Sequence, residues 1–585
     1  MVGGVIYTTA GSRRAVVALD AATGELLWMH REDEGKRGEA APRQLSGRGV
    51  AYWTDGKESR IVYVTPGYRM IALDAKTGRP VPGFGNNGVV DLKQENDQDT
   101  DLETGEVGLQ SPPIIAQDVI VVGAAHLNGA APKSRRNEKG YIRGFDARSG
   151  KRLWVFHTIP QRGEFGSETW QGDSLTYTGN AGVWTQMSID EELGLVYLPV
   201  ELPTGDWYGG HRPGNGLFGE SLVAVELKTG KRVWHYQLVH HGLWDFDIPS
   251  APILADITVN GRLIKAIAQP TKQNWHYVFD RATGKPVWPI VERRVAKGDV
   301  PGEWYAPTQP FVTRPAAFDL QGVSNDDLID FTPALRAEAV KVASRYKLGP
   351  LFTPPPVSRW EGPLGLLMVP SATGGPNWPG GALDPETNIL YIYSFRNPSV
   401  IGLVSDPARS DMNFIRGQAS NPNPPAAAVG GDADVTVQGL PILKPPYGTI
   451  SATDLDQGEI VWKIAHGETP DAIKNHPALQ GLNIPRTGRA NGRVGVLVTK
   501  TLAIAGEPGF GTTPNGQRGA MLRAYDKATG AEVGAVYMPA PPTGSPMTYM
   551  LDGKQYIVVA ISGAGFSGEL IAFKLPEARA NQQVR

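Results

Sequence analysis

A hairpin-like motif recurs seven times along this chain of 585 residues. Each copy runs from a small and an apolar residue to an acid, then through three variable positions to a glycine, and most copies reach a tryptophan soon after. We interpret each copy as two strands joined by a turn, in which the glycine supplies the left-handed residue. Self-similarity of this kind predicts a repeat architecture before local propensity is considered. The copies are ALDAATGELLW (18–28), ALDAKTGRPV (72–81), GFDARSGKRLW (144–154), AVELKTGKRVW (224–234), VFDRATGKPVW (278–288), ATDLDQGEIVW (452–462) and AYDKATGAEVG (524–534).

The spacing of the motif acids predicts the number of repeats. Successive acids lie 54 to 80 residues apart, except for one interval of 174 residues between Asp280 and Asp454. That interval is about two periods long and contains ALDPETNILYIYSF (382–395), which resembles the motif but lacks the tryptophan. We place one degenerate blade there, which predicts an all-β fold, a single eight-bladed β-propeller domain over residues 1–585. The alternative is that similar hairpins lie scattered over unrelated domains.

Two long insertions interrupt the repeats. Residues 295–375 carry proline-rich loops and one helix, in which Thr332 caps the start, Pro333 occupies the first turn and Gly349 with the following proline marks the end. Residues 420–446 are rich in proline, alanine and glycine and are predicted to form a loop.

The two ends of the chain are both strand-like. We expect a strand around Leu570–Lys574 to pair in the last blade. The opening stretch GGVIYTTA enters a strand directly, which leaves open whether an N-terminal segment is missing.

Composition excludes several classes of function. The chain holds 57 basic and 59 acidic residues, so a formal charge of −2 gives no electrostatic footprint for nucleic acid or an anionic membrane. It has no cysteine, which excludes disulfides, thiolate metal sites, cysteine nucleophiles and a C-x-x-C-H haem attachment. No apolar run approaches the length of a transmembrane segment.

The stretch HHGLWDFD, His240 to Asp247, places two histidines, a tryptophan and two aspartates outside the repeats. Asp245 lies between Trp244 and Phe246, so we expect its carboxylate to be partly buried. Such a carboxylate pairs with a cation, binds a metal or has a raised pKa. The structural alternative is an aspartate that caps a turn at a blade edge, with His240 and His241 in cross-strand hydrogen bonds.

Four stretches resemble the site motifs of a known enzyme family. They are GRGVAYW (47–53), HHGLWDFDIPSAPIL (240–254), QPTKQNW (269–275) and GGPNWPG (374–380). Together with the tryptophan-bearing repeats they resemble the pyrroloquinoline-quinone (PQQ)-dependent dehydrogenases along nearly the whole chain, most of all the glucose-dehydrogenase-like branch. The repeats alone are weakly specific, because non-catalytic eight-bladed scaffolds share them, whereas the ordered set of site motifs is much more specific.

The resemblance implies a role for each matching residue. Asp245 would be the general base that takes the substrate hydroxyl proton, and also a calcium ligand. Lys272 would donate to the quinone oxygens, and its PTK context favours a functional Asp245. Arg48 would pair with a cofactor carboxylate, as a guanidinium fork is suited to do. Trp184 of GVWTQ would form the floor under the quinone rings, with core packing as the alternative, and Asn377 would hydrogen-bond the polar edge of the cofactor.

The implied metal is Ca²⁺, since a dianionic cofactor and carboxylate or backbone oxygens favour a hard cation that tolerates irregular coordination. Beyond Asp245, the other ligands of the family fall near Asn128 of AAHLNG and Glu201 of LPVELPTGD, where this sequence departs from the usual pattern. A second departure concerns adjacent cysteines, which in alcohol dehydrogenases of the family form a disulfide over the quinone. Here the segment reads APRQLSGRG, so another group must cap the ring.

On this resemblance we expect a PQQ- and Ca²⁺-dependent oxidoreductase that oxidises a hydroxyl group of a sugar, polyol or alcohol. Because the chain lacks a haem motif, electrons would pass to a separate acceptor, ubiquinone or cytochrome c. The family places such enzymes in the periplasm, although no signal peptide is visible in this chain. The alternatives are a non-catalytic propeller scaffold or assembly protein, an inactive homologue, and a quinoprotein alcohol dehydrogenase with a simple alcohol substrate.

Overall fold

Each motif copy forms a turn that its acid holds in place. The structure is a computed structural model that describes residues 1–11, 14–44, 48–127, 129–422, 435–490 and 492–575. In it, Asp146 ends a strand of the third repeat. Its Oδ1 accepts hydrogen bonds from the backbone N–H and from the hydroxyl of Ser149, both at 2.7 Å. The same pair of bonds recurs in four other copies, at Asp20, Asp74, Asp280 and Asp526.

The first eighteen strands build five sheets in chain order, and every pairing is antiparallel. Blade 1 consists of β1–β3, blade 2 of β4–β7, blade 3 of β8–β11, blade 4 of β12–β15 and blade 5 of β16–β18. Their bounds are β1 Val5–Ala10, β2 Ala15–Asp20, β3 Leu26–His30, β4 Ala51–Thr54, β5 Ser59–Val64, β6 Arg69–Asp74, β7 Val89–Asp91, β8 Ile114–Ala116, β9 Val119–Val122, β10 Ile142–Asp146, β11 Arg152–Phe156, β12 Ser188–Asp190, β13 Leu195–Pro199, β14 Ser221–Glu226, β15 Arg232–Gln237, β16 Ile253–Val259, β17 Arg262–Pro270 and β18 His276–Asp280.

The remaining strands complete three blades and four short ribbons. Blade 6 consists of β22, β23, β29 and β30, blade 7 of β31, β32, β34 and β35 with β33 on β34, and blade 8 of β36–β38. The pairs β19–β20, β21–β24, β25–β26 and β27–β28 form the ribbons. The bounds are β19 Ile290–Arg294, β20 Thr308–Val312, β21 Leu366–Met368, β22 Gly381–Asp384, β23 Ile389–Phe395, β24 Ser399–Ile401, β25 Leu403–Val404, β26 Ile415–Arg416, β27 Thr436–Val437, β28 Leu440–Pro441, β29 Gly448–Asp454, β30 Glu459–Ala465, β31 Val496–Val498, β32 Leu502–Gly506, β33 Gly511–Thr512, β34 Arg518–Asp526, β35 Glu532–Met538, β36 Met547–Leu551, β37 Lys554–Gly563 and β38 Phe566–Lys574.

The predicted eight-bladed propeller is confirmed, but one blade lies elsewhere than predicted. The stretch 382–395 is not a separate blade, because its strands β22 and β23 pair in one sheet with β29 and β30, which carry the motif copy 452–462. The long interval is therefore one blade split by an insertion. The eighth blade is the C-terminal sheet β36–β38, which has no motif copy, and the expected terminal strand is confirmed there as β38.

The segments between and within the blades add helices and ribbons to this plan. The predicted helix is confirmed as α2, with the Thr332 hydroxyl accepting a hydrogen bond from the N–H of Leu335 at 3.2 Å. It ends at Ala343 and not at Gly349, because the chain beyond is drawn into pairing, with the Lys347 N–H bonded to Gly365 O at 2.8 Å. No helix among the described residues is both long and apolar enough to cross a bilayer. The α-helices are α1 Gly35–Glu39, α2 Pro333–Ala343 and α3 Asp471–Lys474, and single 3₁₀ turns lie at Ser167–Thr169, Ser174–Thr176, Asn325–Asp327 and Pro477–Leu479.

The motif tryptophan docks each blade onto the next turn along the chain. Trp154 donates its indole N–H to Leu227 O at 2.8 Å, and Leu227 directly follows the acid of the next copy. Gly230 of that copy lies under the indole, with φ +67° and room for no Cβ, since one would meet the ring at 2.5 Å. Three other tryptophans donate to the equivalent carbonyl, in the pairs Trp28–Ala75, Trp234–Arg281 and Trp462–Lys527.

The ring closes between the last blade and the first. Tyr549 of β36 donates its hydroxyl hydrogen to Ala21 O at 2.6 Å, and Ala21 follows the acid of the first motif copy. Ile6, Tyr556 and Val558 pack around this contact. A tyrosine therefore takes the docking place that a tryptophan takes at other blade junctions.

Antiparallel order separates the motif turns from the other loops. Successive connections in an antiparallel sheet alternate between its two ends. The motif turns therefore share one face of the ring, here called the motif face. The loops that join one blade to the next, and those between the second and third strands of each four-stranded blade, share the opposite face, here called the site face. The innermost strands β4, β8, β12, β16, β22 and β31 contact one another in that order around the centre.

Candidate active site

The stretch HHGLWDFD lies on the site face, in the irregular loop between β15 and β16. Asp245 has φ +53°, in the left-handed region that a non-glycine residue adopts only when its surroundings fix it. About 16% of its side-chain surface remains exposed, so the carboxylate is accessible from one side. The loop thus holds Asp245 in a fixed conformation with part of its side chain exposed.

Lys272, which the resemblance assigns to the quinone oxygens, pairs with Asp245. Lys272 follows β17, and its Nζ donates to the Asp245 Oδ1 at 3.0 Å and to the Asp245 backbone O at 2.6 Å. Burial acts to lower the pKa of Lys272, but the carboxylates of Asp245 and Asp247 outweigh it and raise that pKa. The ammonium group therefore stays charged and close to the Asp245 carboxylate.

Asp247 links this pair to the predicted floor of the site. Its Oδ2 lies 3.5 Å from Lys272 Nζ and accepts a hydrogen bond from the Trp184 indole N–H at 3.2 Å. Its Oδ1 accepts from the N–H of Leu202 at 3.0 Å. Asp247 was not among the predicted site residues, although its place two residues after Asp245 in the same motif was a signal for it.

Buried acids outnumber buried cations around Lys272. Burial, together with Asp247, raises the pKa of Asp206 to about 7, and burial raises the pKa of Glu220 to about 8 and that of Asp245 well above its usual range. The five carboxylates that interact here are Asp206, Asp245, Asp247, Glu201 and Glu220, and the two cations that offset them are Lys272 and Arg212. A divalent cation would stabilise the excess negative charge.

Glu201 lies beside this group, while Asn128 lies outside the described residues. Glu201 Oε1 accepts a hydrogen bond from the Gly182 N–H at 3.0 Å and lies 3.1 Å from His126 Nδ1. Among the described residues, no three acidic or imidazole groups converge closely enough to hold a metal by themselves. The metal assignments to Asp245, Glu201 and Asn128 remain predictions.

Arg48 lies over the predicted floor, and no described acidic side chain forms an ion pair with it. Its guanidinium carbon is 5.5 Å from the centre of the Trp184 ring and 4.5 Å from that of Trp378, and its Nη1 is buried with no hydrogen-bond partner. Burial and the charges of Arg493 and Arg43 lower the pKa of Arg48 to about 9. A flat, anionic cofactor would stack on the indole and supply the missing counter-charge, so the residues present fit a quinone that carries carboxylates.

Asn377 borders a cavity next to this stack. Its Nδ2 donates to Thr373 O at 2.7 Å and its Oδ1 accepts from the Trp378 N–H at 2.8 Å, so the side chain is oriented by its own loop. The cavity has a volume of about 470 Å³, and Thr373, Asn377, Trp378 and Arg493 are among the side chains that line it. Trp378 is common to the cavity and to the Arg48 stack, so the two spaces adjoin.

The two histidines of the motif hold the loop. His241 Nε2 lies 3.0 Å from Glu303 Oε1, with both side chains fully buried, and its Nδ1 lies 2.9 Å from Gly214 O. His240 Nε2 lies 3.0 Å from Glu292 Oε1 near the surface. These contacts fix the backbone that carries Asp245, and neither imidazole reaches the Asp245–Lys272 pair through a hydrogen bond.

Comparison with known proteins gives matches over nearly the whole chain. Residues 1–557 match the family model described as PQQ-class glucose/ethanol/alcohol dehydrogenase, beta-propeller domain. The chain is 31% identical to the quinoprotein glucose dehydrogenase of Escherichia coli (strain K12), over 98% of this chain and 72% of that protein. It is 29% identical to the glycerol dehydrogenase large subunit of Gluconobacter oxydans (strain 621H), over 98% of this chain and 78% of that protein.

A solved structure shares the architecture at lower identity. The quinohemoprotein alcohol dehydrogenase from Comamonas testosteroni superposes with a TM-score of 0.64 at 20% identity, over 98% of this chain and 73% of that chain. This likeness supports the fold.

Proposed function

The chain belongs to the PQQ-dependent dehydrogenases, which oxidise sugar, polyol or alcohol hydroxyl groups, and from this premise we propose that the chemistry takes place at the Asp245–Lys272 pair. The observation that carries the proposal is the 3.0 Å contact between these two side chains beside an indole floor that faces an unpaired Arg48. A motif-face aspartate such as Asp146 has no such surroundings.

Asp245 acts as the base that takes the substrate hydroxyl proton. Burial raises the pKa of Asp245, which increases its proton affinity, while the Lys272 ammonium group acts against this shift and favours the ionised carboxylate. About 16% of the Asp245 side chain is exposed, so a hydroxyl group can approach this carboxylate from solvent. Lys272, held between two carboxylates, supports negative charge that develops on a bound acceptor.

Trp184, Arg48 and Asn377 form the binding site of the quinone. Trp184 provides a flat surface fixed by Asp247, Arg48 provides a guanidinium group for a carboxylate, and Asn377 lies at the adjoining edge. The quinone, when bound, supplies the two-electron acceptor that the side chains of this chain lack.

A Ca²⁺ ion near Asp245 and Glu201 is the second cofactor that we propose. Its support is the excess of buried carboxylates, among which Asp206 and Asp247 raise the pKa of Asp245, and Asp247 and Glu201 raise that of Asp206. Oxygen ligands and the absence of cysteine in the sequence favour a hard cation over zinc or copper. Asn128 stays a candidate ligand from the resemblance.

We further propose that the electrons leave to a separate acceptor, ubiquinone or cytochrome c, and that the enzyme works in the periplasm. The sequence supports the first point, because a chain without cysteine cannot attach a c-type haem. The second rests on the family resemblance alone.

One reconstitution experiment tests the cofactor proposals. Purified protein is titrated with PQQ in the presence of Ca²⁺ while the quinone absorbance, tryptophan fluorescence and dye reduction with a sugar or polyol are followed. We expect saturable binding that quenches tryptophan fluorescence, with dye reduction that chelation abolishes and Ca²⁺ restores. Turnover that survives exhaustive chelation with no residual bound metal overturns the calcium proposal, and a lack of quinone binding favours the non-catalytic scaffold.

A further inference from the structure

Phe352 packs against both chain neighbours of Asp245. It lies between α2 and β21, in the long segment that separates blades 5 and 6, and it is 2% exposed. Its ring centre is 5.2 Å from that of Trp244 and 6.1 Å from that of Phe246, and both pairs meet edge to face. The next residue adds a hydrogen bond, since the Trp244 indole N–H donates to Thr353 O at 2.7 Å. A segment outside the loop of Asp245 therefore contacts the residues on either side of the proposed base.

The same ring packs against the turn that carries Lys272. That turn runs from Thr271 to Trp275 and is closed by the Thr271 N–H, which donates to Trp275 O at 3.0 Å. The Trp275 ring centre lies 6.4 Å from that of Phe352, and Phe311 packs against both, at 5.4 Å from Trp275 and 5.5 Å from Phe352. The two loops of the proposed site thus share one aromatic support.

Phe352 has an unusual backbone conformation for a bulky residue. Its φ is +67°, in the left-handed region that such residues rarely adopt. The turn before it is tightly packed, since a Cβ at Gly322 would lie 2.6 Å from Pro350 Cα. The Val323 N–H fixes the same turn by donating to Gly349 O at 2.9 Å. Strain that the surroundings hold in place is characteristic of functional positions, and the strained residue here is the one whose ring contacts both loops.

Resting on the proposed function, we propose that Phe352 is a positioning residue that sets the distance between the Asp245 carboxylate and the Lys272 ammonium group. The cavity that remains where Phe352 meets Trp244 and Phe246 has a volume of about 10 Å³, so the rings are close-packed and a smaller side chain would let the loops move. Proton transfer requires a well-placed base, and a misplacement of about 1 Å can lower turnover about a hundredfold.

The first test compares Phe352→Leu with Phe145→Leu on holoenzyme reconstituted with PQQ and Ca²⁺. Phe145 is also 2% exposed and packs among residues of blades 2 and 3, so both variants should show a similar fall in melting temperature. Phe352→Leu alone should lower kcat about tenfold or more, with KM within about twofold of the parent. Phe352→Tyr, which keeps the ring, should recover part of the turnover. Trp244→Phe, which loses the hydrogen bond to Thr353 O, is the milder second variant and should lower kcat less.

Crystal structures of the variants separate this inference from the function on which it rests. In Phe352→Leu the distance between Asp245 Oδ1 and Lys272 Nζ should exceed the parental 3.0 Å, whereas in Phe145→Leu it should not change. A parental distance in Phe352→Leu, or a fall in kcat no larger than that of Phe145→Leu, overturns the inference. A separated pair with parental turnover instead overturns the proposed function, and supports Phe352 as the residue that positions the pair.

Discussion

Aspartate and tryptophan side chains occur on both the motif face and the site face, but their hydrogen-bond partners and the pKa shifts of the aspartates differ between the two faces. On the motif face, Asp146 accepts three hydrogen bonds from its own turn, and these bonds hold its pKa below the usual value against the effect of partial burial. On the site face, Asp245 is desolvated beside other acids, and its pKa is raised. Trp154 donates to a backbone carbonyl of the next blade, whereas Trp184 donates to a carboxylate.

This difference distinguishes structural from functional positions. The motif side chains satisfy one another locally, so that each turn is complete in the absence of any ligand. The site side chains leave excess charge and an unpartnered guanidinium nitrogen, which only a bound molecule can satisfy. Substitutions on the two faces should therefore change different quantities, stability on the motif face and turnover on the site face.

The largest expected effect is that of Asp245→Asn. Asparagine keeps the shape of the side chain but cannot take the substrate proton, so dye-linked turnover of the holoenzyme should fall about a thousandfold or more. The melting temperature should stay close to that of the parent. Asp146→Asn, on the motif face, is the matched control and should leave turnover unchanged. Turnover of Asp245→Asn within tenfold of the parent contradicts the assignment of the base.

A loss of stability of about 3–5 kcal/mol is expected for Trp154→Ala, which removes a buried indole and its hydrogen bond to Leu227. Urea unfolding measures this loss. The specific activity of the protein that remains folded should be nearly that of the parent, and Trp154→Phe should show a smaller loss of stability. If Trp154→Ala reduces turnover per folded molecule as strongly as Asp245→Asn does, the two faces are not independent.

Acid should destabilise the core beneath the site through His276. Burial lowers the pKa of His276 to about 3, and both ring nitrogens lack a hydrogen-bond partner. Because its folded pKa lies below the unfolded value of about 6.5, the unfolded chain binds the proton first, and stability falls as the pH drops from about 6.5 toward 3. The free energy of unfolding should fall by on the order of 2 kcal/mol between pH 7 and pH 5 from this group alone.

His276→Leu isolates that contribution. The variant should lose stability less steeply than the parent over the same pH range in parallel thermal melts. If the stability of the variant falls with pH as steeply as that of the parent, then the imidazole of His276 is not neutral in the folded protein or other titrating groups dominate.

The smallest effect is expected for Asp146→Ala. The turn loses the carboxylate that accepts from Arg148 and Ser149, and such local bonds stabilise by about 1 kcal/mol in total when partly exposed. Unfolding in urea should detect this loss, while turnover stays at the parental value. A loss as large as that of Trp154→Ala would mean that the turns, and not the indole contacts, hold the blades together.

The fold was largely predictable because the motif contacts are local. An acid, a hydroxyl residue and a glycine within one turn, with a tryptophan that reaches the next turn, leave a similar signature in most copies. The eighth blade was misplaced because Tyr549 replaces the tryptophan there and no motif copy marks the sheet. The insertion that splits blade 6 could not be distinguished from a blade by interval length.

The site was predictable only where a sequence motif marks it. Asp245 and Lys272 lie in distinctive stretches, and the structure brings them together. Asp206 and Glu220 lie in the one loop between β13 and β14, and Arg493 lies just before β31, so the contacts of these residues with groups elsewhere in the chain depend on how the loops pack. Their shifted pKa values arise from burial and from neighbours that are distant in the chain, which no local pattern reveals.

The junction between Tyr549 and Ala21 also sets the order in which this protein is assembled. Its two residues are 528 positions apart, so all the blades between them must be synthesised before the contact can form. Until then the first blade presents Ile6 and the rest of its apolar face to the surroundings, as a nascent chain that chaperones can recognise. Since a single hydroxyl takes the place of an indole, we expect hydrogen exchange to open the ring at this junction before any other.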